Sequence, residues 1–180
     1  MDIIIRKTEG KDLNEIIEVE KQAFGEDSVA NLTADLLKDE SAKPRISLLA
    51  FDGKKAIGHI LFTKATVEHG KTNTLMHILA PLAVIPEYQN QGIGGMLISN
   101  GIIRLKNIDS KIVFVLGHIE YYPKHGFIPD AANLGYNAPY PIPSEVKEAW
   151  MVMPLSSSGL TNFGKVICAK AMDAPEHWRE

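Results

Sequence analysis

Apolar and polar positions alternate along this chain in two distinct rhythms. Asp2 to Lys7 (DIIIRK) is short and β-branched, which predicts a strand. Leu13, Ile16, Ile17, Glu20 and Phe24 then form a mostly apolar stripe at helical spacing, which Asp12 or a neighbour can cap and Gly25 ends. Ser28 can cap a second short helix carrying Leu32, Leu36 and Leu37, stopped by Pro44. Residues 46–51 and 56–67 read as strands joined by Asp52-Gly53, a strong hairpin signal. His69-Gly70 marks a second turn. Residues 74–84 are nearly continuously apolar, which predicts a long strand buried on both faces. Three antiparallel strands in a row are therefore central.

A polar, glycine-bearing loop follows at 86–95 (PEYQNQGIGG), then a helix carrying Met96, Leu97, Ile98, Ile102, Ile103 and Leu105. Ile112 to Leu116 (IVFVL) is another buried strand, and Tyr121 to His125 suits one helical turn before Gly126-Phe127. Residues 129–143 hold four of the ten prolines, so loop with at most an edge strand is expected. Residues 149–154 (AWMVMP) read as a last strand, Ser156 to Gly159 as a linker, and the tail to Glu180 as weakly patterned. The expected organisation is one α+β domain over 1–155 with a C-terminal extension, 156–180, packing on or near it.

Composition narrows the function classes. The chain has 180 residues, 45% of them apolar and 23% charged, enough for one domain with a sizeable core. Lys and Arg number 19 against 22 Asp and Glu, for a net charge of −3, which argues against a protein built mainly to hold nucleic acid. One cysteine, Cys168, excludes an intrachain disulfide and any multi-cysteine zinc site. The six histidines show no H-x-x-x-H spacing, so no metal is expected. No apolar run approaches the roughly 20 residues that cross a bilayer. The N-terminus lacks the layout of a signal peptide, so a cytoplasmic protein is expected.

The chemistry concentrates in two short segments. Gln89-Asn90-Gln91-Gly92-Ile93-Gly94 fits Q-x-x-G-x-G between a buried strand and an apolar-striped helix. The first turn of a helix has unpaired N–H groups and a partial positive charge, so it suits an anion. Glycines at 92 and 94 let the backbone approach a pyrophosphate closely. A Rossmann fingerprint would need a third glycine and parallel strands. Residues 159–166 (GLTNFGKV) nearly match a P-loop, but Val166 stands where the magnesium-holding hydroxyl belongs. The second segment is Tyr122-Pro123-Lys124-His125-Gly126-Phe127, a tyrosine four residues before Gly-Phe and just after a buried strand.

The two motifs, in this order and at this separation, resemble the GNAT superfamily of acyl-CoA-dependent N-acetyltransferases. Residues 82–94 (LAVIPEYQNQGIG) are similar to its strand and pyrophosphate loop, and 116–127 (LGHIEYYPKHGF) to a bacterial and archaeal branch of predicted N-acetyltransferases. The resemblance covers about residues 3–155 and implies a mixed, mostly antiparallel central sheet flanked by helices and splayed at the strand before the loop. It implies acetyl-CoA as cosubstrate and transfer of the acetyl group to a primary amine by direct attack in a ternary complex. Main-chain groups at Leu82, Ala83 and Val84 would hold the pantetheine arm, with the Leu82 N–H on the developing oxyanion. The amides from Gln91 through Gly92, Ile93 and Gly94 to Gly95 would hold the pyrophosphate, with Gln89 and Asn90 nearby and Lys124 or Lys106 toward the 3′-phosphate. Tyr122 would protonate the departing thiolate.

Two departures stand out. The strand position that carries a carboxylate base in some family members is Ile78 here, and Gly117-His118 replaces a common asparagine. Glu26, His77 and His118 are the side-chain candidates for the base, Glu26 first among them. The expectation is that deprotonation runs through water with no dominant residue. A covalent route through Cys168 is disfavoured by its distance in sequence from both motifs. The rival to an enzyme is a non-catalytic acyl-CoA-binding sensor or interaction module, and a further variant transfers a longer acyl chain. The implied acceptor is a small-molecule or peptide amine, with no nucleic acid or membrane partner, on a monomer or homodimer. It would be bound by residues 24–38, the loop at His69 and the proline-rich segment 133–143. Glu26, Asp27 and Asp35 hint that it is cationic.

Overall fold

The computed structural model describes residues 1–71 and 73–179. The chain runs β1 (Ile3–Lys7), α1 (Leu13–Phe24), α2 (Ser28–Lys38), β2 (Ile46–Asp52), β3 (Lys55–Val67), β4 (Met76–Val84), α3 (Ile93–Asn107), β5 (Ile112–Leu116), β6 (Tyr136–Asn137), β7 (Trp150–Pro154) and β8 (Gly164–Ile167), with short 3-10 turns between. The main sheet has the order β1-β2-β3-β4-β5-β7. Every neighbouring pair is antiparallel except β4 with β5. This is the α+β arrangement with a mixed, mostly antiparallel sheet that the resemblance implied.

Two apolar layers hold the sheet. Alternation sends Leu79 of β4, and Val113 and Val115 of β5, to one face, where they meet Ile93, Leu97, Ile98 and Leu105 of α3. The helix lies close to the sheet there, because a Cβ at Gly101 would run into the ring of Phe62. Met76, Ile78, Ile112, Phe114 and Trp150 face the other way, with Leu36 of α2. Helix α1 covers that second face as well. Glu20 of α1 meets His59 of β3, which neighbours Ile60 and so points away from the α3 side.

The last strand of the hairpin series begins at Met76, two residues later than its apolar run, because Thr74 closes a turn onto the Lys71 carbonyl. The C-terminal segment is the larger departure. Where no element was expected, β8 pairs with the end of β3, Thr66 opposite Ile167, and with the two-residue β6. Residues 164–166 of the P-loop near-match therefore lie in a strand. Met172 and Trp178 are buried in the second apolar layer, and the Trp178 indole donates to the Met172 carbonyl at 3.0 Å and meets Trp150 edge-on at 5.5 Å. Asp39 and Ser41, after α2, take the backbone N–H groups of Ala171 and Lys170 at 2.8 and 2.9 Å. Glu180 of the expected extension lies outside the described residues.

Candidate active site

The site begins at a proline. Leu79 pairs with Val115 of β5 and with Phe62 of β3, and there the β4–β5 pairing ends. On the β3 side the register slips between Ile60 and Phe62, leaving β4 with one residue too many around Ala80 and Pro81. Pro81 has no N–H for a ladder bond, so the bulge falls where a proline is tolerated, and a bulged strand bends. Residues 82–84 stay on β3 while β5 goes its own way. The outward-facing groups follow from parity. Ile85 donates to the Ile57 carbonyl at 3.0 Å, so Ile85–Ile57 and Ala83–His59 are hydrogen-bonded pairs, and Leu82–Ile60 and Val84–Gly58 are not. The N–H and C=O groups of Leu82 and Val84 therefore point away from β3, toward the gap. The side chain of Gln89 donates to the Val84 carbonyl at 2.9 Å from that side.

The gap leads to the start of α3. Asn90 (φ 61°) and Gly92 (φ 85°) are both left-handed, a turn that brings successive amides into one concavity. Among the described residues the Met96 N–H is the first to find a partner, the Gly92 carbonyl at 3.1 Å, so the amides of Ile93, Gly94 and Gly95 stay open at the positive end of the helix. The glycines do different jobs. A Cβ at Gly92 would meet nothing, so its backbone angle is what demands glycine. A Cβ at Gly94 would strike the Tyr121 hydroxyl, and one at Gly95 would lie 2.9 Å from His125 Cε1. Tyr121 and His125 pack on each other at 4.8 Å, so the tyrosine turn rests directly on the loop.

That turn also positions Tyr122. Its N–H donates to the His118 carbonyl at 3.2 Å, and its ring lies edge-on to Tyr121 at 5.1 Å and Phe127 at 5.6 Å. Gly117 is small for the same reason, since a Cβ there would enter the Tyr122 ring. Loop, gap and tyrosine turn line one cleft of about 1340 Å³, which continues past α1 and α2 to the C-terminal segment.

The expected site residues divide clearly. Leu82, Val84, Gln89, Asn90, Gly92, Ile93, Gly94, Gly95, Tyr122, Glu26 and His118 line the cleft. Ala83 does not; it is buried opposite His59 of β3, on the face away from α3. The Gln91 side chain turns back to the Glu87 carbonyl at 2.9 Å. Lys124 is exposed and does not line the cleft, whereas its neighbour His125 does. Lys106 lies thirteen residues along the helix from Ile93, about 20 Å. Cys168 does not line the cleft, and burial pushes its thiol up to about 12.

His77 does not line the cleft. Its side chain is fully buried, its Nε2–H donates to the Pro44 carbonyl at 2.6 Å, and Ser110 stands 2.8 Å from Nδ1. Burial lowers its pKa to about 4. The unfolded chain binds the proton more readily, so this histidine supports folding fully above pH 6.5 and progressively less as pH falls toward 4. Urea denaturation at several pH values should show that slope, and His77→Gln should flatten it; an unchanged slope would assign the effect to another group. Glu20, His59 and Ser47 look like a nucleophile triad in their hydrogen-bond order, 2.6 Å and then 2.9 Å. All three are buried and none lines the cleft, so they brace α1 against the sheet. Burial raises the pKa of Glu20.

Residues 44–129 match the acetyltransferase (GNAT) domain family. Over 162 residues, 90% of each chain, the sequence is 54% identical to YjhQ of Escherichia coli (strain K12), an uncharacterised N-acetyltransferase. The chain belongs to the GNAT family.

Among solved structures it is similar to the GNAT family N-acetyltransferase YhbS of Escherichia coli, in complex with CoA, at 25% identity and a TM-score of 0.83, over 96% of this chain and 92% of that one. A GNAT acetyltransferase of Brucella melitensis, in complex with acetyl-CoA, shares the fold at 23% identity and a TM-score of 0.75, over 96% and 99% of the two chains. This protein is thus an N-acetyltransferase of the GNAT family, an enzyme rather than a bare binding module. Sequence reasoning missed Lys170, Asp173, Glu176, His177 and Arg179, which line the far end of the same GNAT cleft. They sit in or just after 3-10 turns with neither a 2.0 nor a 3.6 period, so no pattern could reveal them.

Proposed function

We propose that the protein transfers the acetyl group of acetyl-CoA to a primary amine of a small molecule or peptide, by direct attack with both substrates bound. The observation that carries this reading is the continuity of one cleft from the open amides at 93–95, along the outward backbone of Leu82 and Val84, to Tyr122. Acetyl-CoA supplies an activated thioester. The amides of Ile93, Gly94 and Gly95 hold its pyrophosphate, and the Leu82 and Val84 backbone holds the pantetheine arm. The Leu82 N–H donates to the carbonyl oxygen as negative charge develops there. Tyr122 gives a proton to the sulfur as it leaves.

Calorimetry on loop variants tests the placement. Gly92→Val forces a β-branched residue into a left-handed position, and Gly94→Val displaces Tyr121. Each should weaken CoA binding at least tenfold, about 1.4 kcal/mol, in a folded protein. Wild-type affinity in both would remove the pyrophosphate from this loop. Release of free CoA thiol with a panel of amines tests the reaction itself.

A further inference from the structure

We propose that His177, supplied by the C-terminal segment, accepts the proton of the attacking amine. This rests on the acetyl-transfer reading above and completes it, since burial of Ile78 in an apolar layer leaves the strand without a base. His177 lines the main cleft together with Leu82 and Tyr122. It also lines a small side cavity of about 90 Å³ with Ile78, Leu79, Ala80 and Leu116, the residues at which β4 and β5 part. His177 therefore borders the same small cavity as the vacant base position, where β4 and β5 part.

The faces of the sheet separate acid from base. Tyr122 packs in the apolar layer shared with α3, whereas Met172 and Trp178, which flank His177 in the chain, pack in the opposite layer. An amine entering from the α1–α2 side meets the carbonyl from one direction, and the sulfur departs toward Tyr122 on the other. His118 belongs to the tyrosine turn itself, and His125 stands by Gly95 at the pyrophosphate end. Glu26 is exposed and accepts the Ser28 hydroxyl at 2.5 Å.

The ring is also chemically available. The imidazoles of His59 and His77 are held on both nitrogens by hydrogen-bond partners. Among the described residues the His177 ring makes no hydrogen bond; Glu176 Oε1 stands 3.7 Å from Nε2, and the side chain is 25% exposed. Arg179 shares its side cavity, and Lys170, Asp173, Glu26, Asp35 and His118 are the other ionisable groups facing the cleft near it. Imidazole is the side chain most often used for such transfers.

The step balances. His177 takes one proton from the ammonium and passes it to water. The amine lone pair forms the C–N bond while the carbonyl electrons move to oxygen. The carbonyl re-forms as the C–S bond breaks, the sulfur takes a proton from Tyr122, and the nitrogen loses its second proton to His177, which passes it through water to restore Tyr122. An ammonium and an acetyl thioester thus give an amide, a thiol and one proton to solvent.

The test compares wild type, His177→Gln and His177→Ala in the full chain. With whichever amine of the panel releases CoA thiol fastest, His177→Gln should lower kcat/KM on the order of 10²-fold, within the range for a general base. The acidic limb of its pH profile should shift to that of the free amine, with CoA affinity and Tm unchanged. Free imidazole should restore part of the His177→Ala rate. If no amine reacts, the slow hydrolysis of acetyl-CoA, with water as acceptor, replaces it and should fall in the same variants. Wild-type rates and pH profile in both variants would overturn the assignment while leaving the acetyl-transfer reading intact. Neither amine transfer nor hydrolysis by the wild-type enzyme would overturn both.

Discussion

Tyr122→Phe should bind CoA as wild type does and lose about 10²–10⁴-fold in kcat. The hydroxyl acts only as the thiolate leaves, so the loss falls on turnover and not on ground-state affinity. The aromatic body remains, which preserves the edge contacts with Tyr121 and Phe127 that hold the turn. Tyr121→Phe is the companion variant. Its hydroxyl lies against Gly94 at the loop, and burial already raises its pKa, so its removal should act on CoA affinity and spare kcat. Calorimetric affinity together with steady-state rates separates the two tyrosines. A Tyr122→Phe enzyme with wild-type kcat would show that the sulfur leaves without its help.

Most of this site was legible because its parts lie on strongly patterned elements. The apolar run of β4, the Q-x-x-G-x-G loop and the Tyr-x-x-x-Gly-Phe turn all stand where their periodicity or glycine spacing put them. The sequence was less informative where one residue type has two physical causes. Gly92 and Gly94 look alike in a motif, yet one answers to a backbone angle and the other to a neighbour's hydroxyl. Lys124 and His125 are adjacent in the chain, and only the path of a single 3-10 turn decides which faces the cleft. The C-terminal wall was not legible at all. Its anchors, Met172 and Trp178, are isolated apolar residues whose partners, Thr63 and Trp150, lie far away in sequence on β3 and β7.

The second large effect is expected at that wall. Trp178 is 1% exposed, stacks edge-on against Trp150 and closes its own turn through the Met172 carbonyl. Trp178→Ala removes a large buried ring from a close-packed layer and leaves a cavity, at a cost of about 3–5 kcal/mol. For a chain of this size each kcal/mol is worth roughly 2–4 °C in Tm. The damage should be directional. The loop and the tyrosine turn belong to the other apolar layer, so the folded fraction should keep its CoA affinity while KM for the amine rises. Thermal unfolding gives the first effect and saturation kinetics in each substrate the second. Equal losses for both substrates would mean that the wall supports the whole cleft.

Arg179 lines the cleft, at the end where the proposed acceptor would enter. A purification handle or fusion partner appended at that end would stand in the doorway of the enzyme, and a survey of acceptors made with it would report the handle's obstruction as substrate preference. The same addition ahead of β1, which among the described residues pairs with β2 at the edge of the sheet, would leave that proposed entry clear.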